Sequence, residues 1–192
     1  EADEMLDMGF REDLEFILSA APPDRRTILF SATLPKPIVE LSRQYTREPV
    51  RVTATPPREA HADIAYRAHV VAQRERDHAL VNVLRALDPQ SALVFRARRE
   101  AVTHTAAALS ERGFKSVAIS GELTQAERLR ALKSLRDGHA RILVATDVAA
   151  RGLDLPGIEL VLHADLPGDA QALQHRSGRT GRAGKKGQEV LL

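Results

Sequence analysis

Three runs of this chain, ALVF at residues 92–95, ILVA at 142–145 and LVL at 160–162, are apolar without a break. A strand with one wet face alternates apolar and polar residues. A continuous run instead fits a strand buried on both sides, the condition inside a parallel sheet covered by helices. The intervening segments read as those helices. Leu80, Leu84 and Leu87 recur on one helical face, Val102, Ala106 and Leu109 on another, and Leu129, Leu132 and Leu135 form a third stripe. Gly113 and Gly138 stand where such helices would stop. With strands expected at residues 27–30, 65–71, 92–95, 116–119, 141–145, 159–162 and 189–192, the alternation through 63–192 predicts an α/β domain with a doubly wound parallel sheet.

Residues 1–60 do not complete a second domain of this kind. They offer the strand at 27–30, a helix on each side of it and a short strand near 50–52. Pro56 and Pro57 suit neither a helix nor a sheet interior, so 53–62 reads as a linker between the end of one domain (1–52) and a second domain (63–192). The chain is therefore expected to begin inside a domain. It has no cysteine, which excludes disulfides and thiolate metal sites, and its seven histidines lack ligand spacing, so no metal site is expected. With no signal peptide and no apolar stretch of about 20 residues, a cytoplasmic protein without membrane attachment is the expectation. The formal charge is −3 over residues 1–60 and +5 over 61–192.

In an open parallel sheet, ligands bind beyond the carboxyl ends of the strands, where loops and helix N-termini present backbone N–H groups. Polar residues follow the predicted strands at those places: Ser31-Ala32-Thr33, Arg96 with Arg98 and Arg99, Ser120-Gly121-Glu122, and Thr146-Asp147. Each could simply cap or solvate the helix it begins. The run HRSGRTGRAGKKG, residues 175–187, adds Arg176, Arg179 and Arg182 at intervals of three with no acid among them. Guanidinium groups grip phosphate oxygens in pairs, and a solvated helix would not carry Gly178, Gly181 and Gly184, each costing about 1 kcal/mol relative to alanine. The run is expected to collect phosphate and to lie with the strand-end loops, and Arg179 and Arg182, three apart, would on a helical turn share a face and reach one anionic target together.

Together these strings resemble the DEAD-box ATP-dependent RNA helicases of bacterial type, from the end of the first RecA-like domain through most of the second. Glu1-Ala2-Asp3 before EMLDMGF matches the end of the DEAD motif, Ser31-Ala32-Thr33 the motif that couples the domains, GELTQAERLRAL the Q-x-x-R element, and ATDVAARGLDLP and HRSGRTGRAG the last two motifs. The resemblance implies a RecA-like doubly wound sheet preceded by a partial RecA-like domain. It implies ATP, with Mg2+ carried on it, as cofactor. Glu1 would orient or deprotonate the attacking water. Asp3 would tie the nucleotide site to Ser31, Ala32, Thr33 and His175, Arg179 and Arg182 would act as arginine fingers, and Gly152 and Asp154 would meet the nucleotide. RNA, rather than DNA, would be held by its backbone through Gly121, Gln125, Arg128 and Thr146, with Arg128 alternatively pairing Glu122 or Glu127 on its helix. Ser177, where the family commonly has an aliphatic residue, and HADLP at 163–167, where it commonly has an asparagine-tyrosine form, point to a bacterial subgroup.

No G-x-x-x-x-G-K-[ST] phosphate loop occurs in this sequence. The expectation is an RNA-stimulated ATPase that unwinds or remodels short duplexes by closure of its domains, with this stretch alone binding RNA weakly and turning over no ATP. Two other classes stay open on the residues: a non-catalytic RNA-binding or adaptor module, and a related superfamily 2 DNA helicase, whose counterpart of the last motif usually begins with glutamine in place of His175.

Overall fold

The computed structural model describes residues 1–53, 63–153, 155, 157–181 and 184–192. Contacts group the chain into two compact units, Glu1–Pro57 and Arg58–Leu192. Apart from Thr53, the expected linker lies outside the described residues, as do Asp154 and Arg182.

The first unit is helical. It contains α1 (Ala2–Asp7), α2 (Arg11–Ala20) and α3 (Lys36–Tyr45), the last opened by Pro37 and burying Ile38 and Leu41. The strands expected at 27–30 and 50–52 do not form. A strand exists by hydrogen bonding to a neighbouring strand, and among the described residues none pairs with these segments; Ile28, Phe30, Val50 and Val52 stand exposed. The segment is fixed at its end instead, where the Ala2 N–H donates to the Phe30 carbonyl at 3.1 Å.

The second unit is built on a six-stranded sheet. Its strands are β1 (Ile64–Ala68), β2 (Ala92–Phe95), β3 (Ser116–Ile119), β4 (Ile142–Ala145), β5 (Leu160–His163) and β6 (Gly187–Leu191), in the order β1-β6-β5-β2-β4-β3 and all parallel. The crossovers are α4 (Arg76–Leu87), α5 (Arg99–Glu111), α6 (Gln125–Arg136), α7 (Asp147–Ala150) and α8 (Ala170–Ser177). Period-two alternation divides the apolar runs between the two faces. Ala92, Val94, Ile142, Val144, Leu160 and Leu162 pack with Leu80, Leu84, Val102, Ala106 and Leu109 of α4 and α5. Leu93, Phe95, Leu143, Ala145 and Val161 pack with Leu135 of α6, with Ala149 and Ala150 of α7, and with Leu153 beyond it. Both faces are covered, which is why the central strands contain no polar residue before His163.

The third helical stripe is only partly right. Leu135 is buried and Leu132 packs against the core, but Leu129 is 57% exposed. Each step of three residues rotates about 60° around an α-helix, so positions 129 and 135 diverge by about 120°. Among the described residues, no helix is long and apolar enough to cross a membrane.

Candidate functional site

In the first unit, Asp3 is 1% exposed on α1. The Thr33 backbone N–H and hydroxyl both donate to its Oδ2, at 2.9 and 2.7 Å, while the Asp3 N–H donates to Ser31 Oγ at 3.1 Å. Burial pushes the carboxyl up, and hydrogen bonds from the Thr33 hydroxyl, Ser31 and the Thr33 backbone outweigh it, bringing its pKa down to about 2. Asp3 is therefore a fixed anion that organises the Ser31-Ala32-Thr33 turn, two stretches about thirty residues apart in sequence. Glu1 is exposed at the start of α1, and Ala32 is exposed in the turn.

In the second unit, the parallel sheet gathers the segments that leave β2, β3, β4 and β5 at one edge. Gly121 follows β3 and is exposed, with the Arg99 guanidinium close to it and Arg99 3.7 Å from Glu122. Gln125 opens α6, behind a capping box of Thr124 and Glu127. Thr146 follows β4 and caps α7, its Oγ1 accepting from Ala149 N at 3.3 Å. The capping role weighed for Thr146 is thus present in the fold. Arg128 does not pair with Glu122 or Glu127. Its Nη2 donates to the carbonyls of Ala149, at 2.9 Å, and Arg151, at 3.3 Å, binding α6 to the end of α7. Gly121, Gln125 and Thr146 thus stand at the ends of neighbouring strands β3 and β4.

The basic run departs from expectation in three ways. Arg176 collects no phosphate: it is 3% exposed, and its Nε and Nη2 clasp Asp147 Oδ1 and Oδ2 at 2.6 and 2.7 Å. A lone buried guanidinium is costly, and the carboxylate that neutralises it lies outside the run. Second, α8 ends at Ser177, so Arg179 lies in the turn beyond it and not on a helical face. The Arg179 N–H donates to the Arg176 carbonyl and Thr180 N–H to Ser177, both at 3.0 Å. Third, Thr180 bridges Ile158, so this turn sits beside the start of β5, while among the described arginines of the run Arg176 alone reaches the edge where the strands end. Arg179 is half-buried, with Nη1 donating to the Leu153 carbonyl at 3.3 Å next to the exposed turn at Gly152. His175 is half-buried on α8. Ser177 is 2% exposed and donates to the Leu173 carbonyl at 2.8 Å, so its hydroxyl is satisfied within its own helix. Gly181 has φ +64, and a Cβ there would come within 2.7 Å of Ile64. This glycine serves the turn itself.

Two arrangements escaped the sequence reading. Asp165 of HADLP accepts from Arg76 Nη1 at 3.1 Å and from the Ala97 N–H at 2.8 Å, with Arg96 Nε 3.3 Å away. In addition, Phe95, His163, Arg176 and Glu189 form a buried polar group below the strand ends. Its one sequence signal is Glu189 itself, a lone acid in the strand QEVL.

Comparison with known proteins matches residues 75–184 to the helicase conserved C-terminal domain and residues 1–41 to the DEAD/DEAH box helicase family. The chain is 43% identical over its whole length to DEAD-box ATP-dependent RNA helicase CshA of Bacillus subtilis, covering 39% of that protein. It is 41% identical to DEAD-box ATP-dependent RNA helicase 9 of Oryza sativa, covering 31%. The chain thus spans about two fifths or less of these curated relatives. Among solved structures, it is similar over its full length to half (51%) of a DEAD box protein from Methanococcus jannaschii, with a TM-score of 0.63 and 38% identity. It is likewise similar over its full length to 51% of Saccharomyces cerevisiae Dbp5 bound to RNA and ADP BeF3, with a TM-score of 0.84 and 26% identity.

Proposed function

The chain belongs to the DEAD-box helicases, a RecA-like α/β family, and from that premise we propose that it serves an RNA-stimulated ATPase that unwinds or remodels short RNA duplexes. The observation that carries this reading is the contact of Arg179 Nη1 with the Leu153 carbonyl, which joins two strings 26 residues apart, ATDVAARGLDLP and HRSGRTGRAG. It sets a guanidinium beside the Gly152 turn, the pairing expected for a nucleotide.

In this reading, Glu1 orients the attacking water and Asp3, held ionised, fixes Ser31-Ala32-Thr33. Arg179 and Arg182 neutralise charge developing on the terminal phosphate, and Gly152 and Asp154 approach the nucleoside. His175 couples that site to the RNA side. Phosphoryl transfer asks the protein for positioning and charge more than for covalent chemistry, and these residue types provide both. Mg2+, arriving on the ATP phosphates, supplies the remaining positive charge. Gly121, Gln125, Thr146 and Arg128 hold the RNA backbone at the strand ends, which makes binding sequence-independent.

The test is Arg179→Ala in the full-length protein. RNA-stimulated ATP turnover should fall by about 10³-fold, the scale of a lost arginine finger, while RNA affinity without nucleotide stays within about twofold, since the electrostatic grip lies elsewhere. Unchanged turnover rejects the assignment.

A further inference from the structure

Glu189 and His163 are both 0% exposed, on the neighbouring strands β6 and β5. His163 Nε2 lies 2.5 Å from Glu189 Oε1, and its Nδ1 lies 3.1 Å from Arg176 Nη1. A guanidinium can only donate, so Nδ1 must carry the lone pair and Nε2 the proton, which it donates to Glu189. The carboxylate therefore fixes both the tautomer and the rotation of the ring, as an acid does for a histidine in a catalytic triad. The ring is also stacked on Phe95, centroids 5.9 Å apart, and the Arg176 guanidinium lies 4.7 Å over the same phenyl group. Arg176 Nε and Nη2 also donate to Asp147, and Nη1 to the Asp165 carbonyl at 2.8 Å. Every polar contact of this guanidinium thus depends on its orientation, and its backbone carbonyl is the acceptor for the Arg179 N–H.

We propose that Glu189 is a positioning residue: through the imidazole of His163 it sets the Arg176 guanidinium, and through Arg176 the turn from which Arg179 extends. This rests on the reading of Arg179 as a nucleotide contact. Glu189 acts on the Arg179 turn through two intermediaries, His163 and Arg176. Its own Oε2 has no hydrogen-bond partner among the described residues. A strand that needed only to fill space would place an apolar side chain there, since an under-satisfied buried carboxylate is a cost in itself.

The experiment uses the full-length protein. Glu189→Gln should lower kcat for RNA-stimulated ATP hydrolysis about tenfold, the scale of a small displacement of a reacting group, with KM for ATP within about twofold. Its amide oxygen can still accept from Nε2–H, but without the carboxylate's charge this hydrogen bond is weaker and holds the ring less firmly under Arg176. The combination of Glu189→Leu with His163→Phe removes the polar pair and keeps the ring stack. It should restore most of the melting temperature lost in Glu189→Leu alone, because Glu189 and His163 leave together and one Arg176 Nη1 hydrogen alone loses its acceptor, yet kcat should stay depressed about tenfold. Long-range 1H–15N correlation of histidine-labelled protein should show His163 protonated at Nε2 in the parent. Recovery of kcat together with stability in the double variant would mean that Glu189 only stabilises the strand, and the inference falls; protonation at Nδ1 in the parent overturns it as well. Arg179→Ala, measured in parallel, separates the two readings. If that variant is silent while Glu189→Gln is slow, the nucleotide contact is wrong and the network acts on another group. If that variant is inactive and Glu189→Gln is normal, the positioning role alone fails.

Discussion

Arg176 and Asp147, 29 residues apart, face each other through two parallel hydrogen bonds, Nε to Oδ1 at 2.6 Å and Nη2 to Oδ2 at 2.7 Å. The pair ties α8 to the start of α7, and the guanidinium side is almost wholly buried. Removing one partner of a fully buried pair costs about 3–5 kcal/mol because the other charge is stranded. The Asp147 side chain keeps 36% of its exposure, so water offsets part of the loss, and Asp147→Ala should destabilise the second unit by about 2–3 kcal/mol. Urea unfolding reads this as a lower midpoint at unchanged slope. Arg176→Lys should not rescue, because an ammonium cannot make two parallel bonds. A midpoint that stays put in Asp147→Ala would show that the clasp contributes nothing.

Asp3 makes the first unit sensitive to acid. Its folded pKa, about 2, lies below its ordinary 3.8. A depressed carboxyl stabilises the fold above its unfolded pKa and loses that contribution as pH falls through the folded one. The stabilisation is therefore fully present above about pH 4 and gone below about pH 2, and amounts to no more than about 2 kcal/mol. Thr33→Val removes the hydroxyl donor while leaving the backbone donor. The stability difference between parent and variant should be largest above pH 4 and shrink to nothing near pH 2. A difference that grows on acidification contradicts the assignment.

What the sequence showed of the fold followed from local pattern. The runs at 92–95 and 116–119 become strands at those residues, and the remaining strands of the second unit shift by one to three positions. Failures occurred where a partner distant in sequence decides the outcome. Residues 27–30 have strand composition and no described neighbour to pair with, and Arg176 looked like a phosphate ligand because its carboxylate lies 29 residues upstream in another motif. The Asp3–Thr33 contact was legible only through family resemblance, since no spacing rule brings positions 3 and 33 together. Glu189, an acid in the last strand, carried a signal that composition alone did not interpret, because its partner His163 lies 26 residues upstream inside HADLP, where only a departure from the family pattern is visible.

RNA binding by the full-length protein should be governed by ionic strength. Plotting log affinity against log salt gives a slope proportional to the number of phosphates neutralised. Arg128 has donors in use on Ala149 and Arg151 and is proposed to reach one phosphate with the rest. Arg128→Ala should reduce the magnitude of that slope by about 1 and weaken binding to unrelated sequences equally. A loss of affinity at unchanged slope would assign Arg128 to holding α6 against α7 and nothing more. Gln125→Ala, which removes no charge, should lower affinity without altering the slope.

Gly187, the first residue of β6, tests how tightly the basic segment is packed against the sheet. A methyl group there would strike the Thr180 hydroxyl and come within 2.6 Å of the Gly181 nitrogen, a backbone atom. Thr180 cannot swing aside, since it is 2% exposed and its hydroxyl donates to the Ile158 carbonyl at 2.5 Å. Relief must come from moving the Thr180–Gly181 turn, and the Gly187 N–H, which donates to the Asp63 carbonyl at 2.8 Å, would move with it. Gly187→Ala should therefore cost about 3 kcal/mol, at the upper end for an overpacked site. Gly157→Ala is the control: its methyl would meet only the flexible end of Lys185, at 3.8 Å, and should change stability by less than about 0.5 kcal/mol. Because the displaced turn carries Arg179, Gly187→Ala in the full-length protein should also slow ATP turnover at temperatures where the fold is still intact. Full turnover below the melting transition would show that the placement of Arg179 does not depend on this packing.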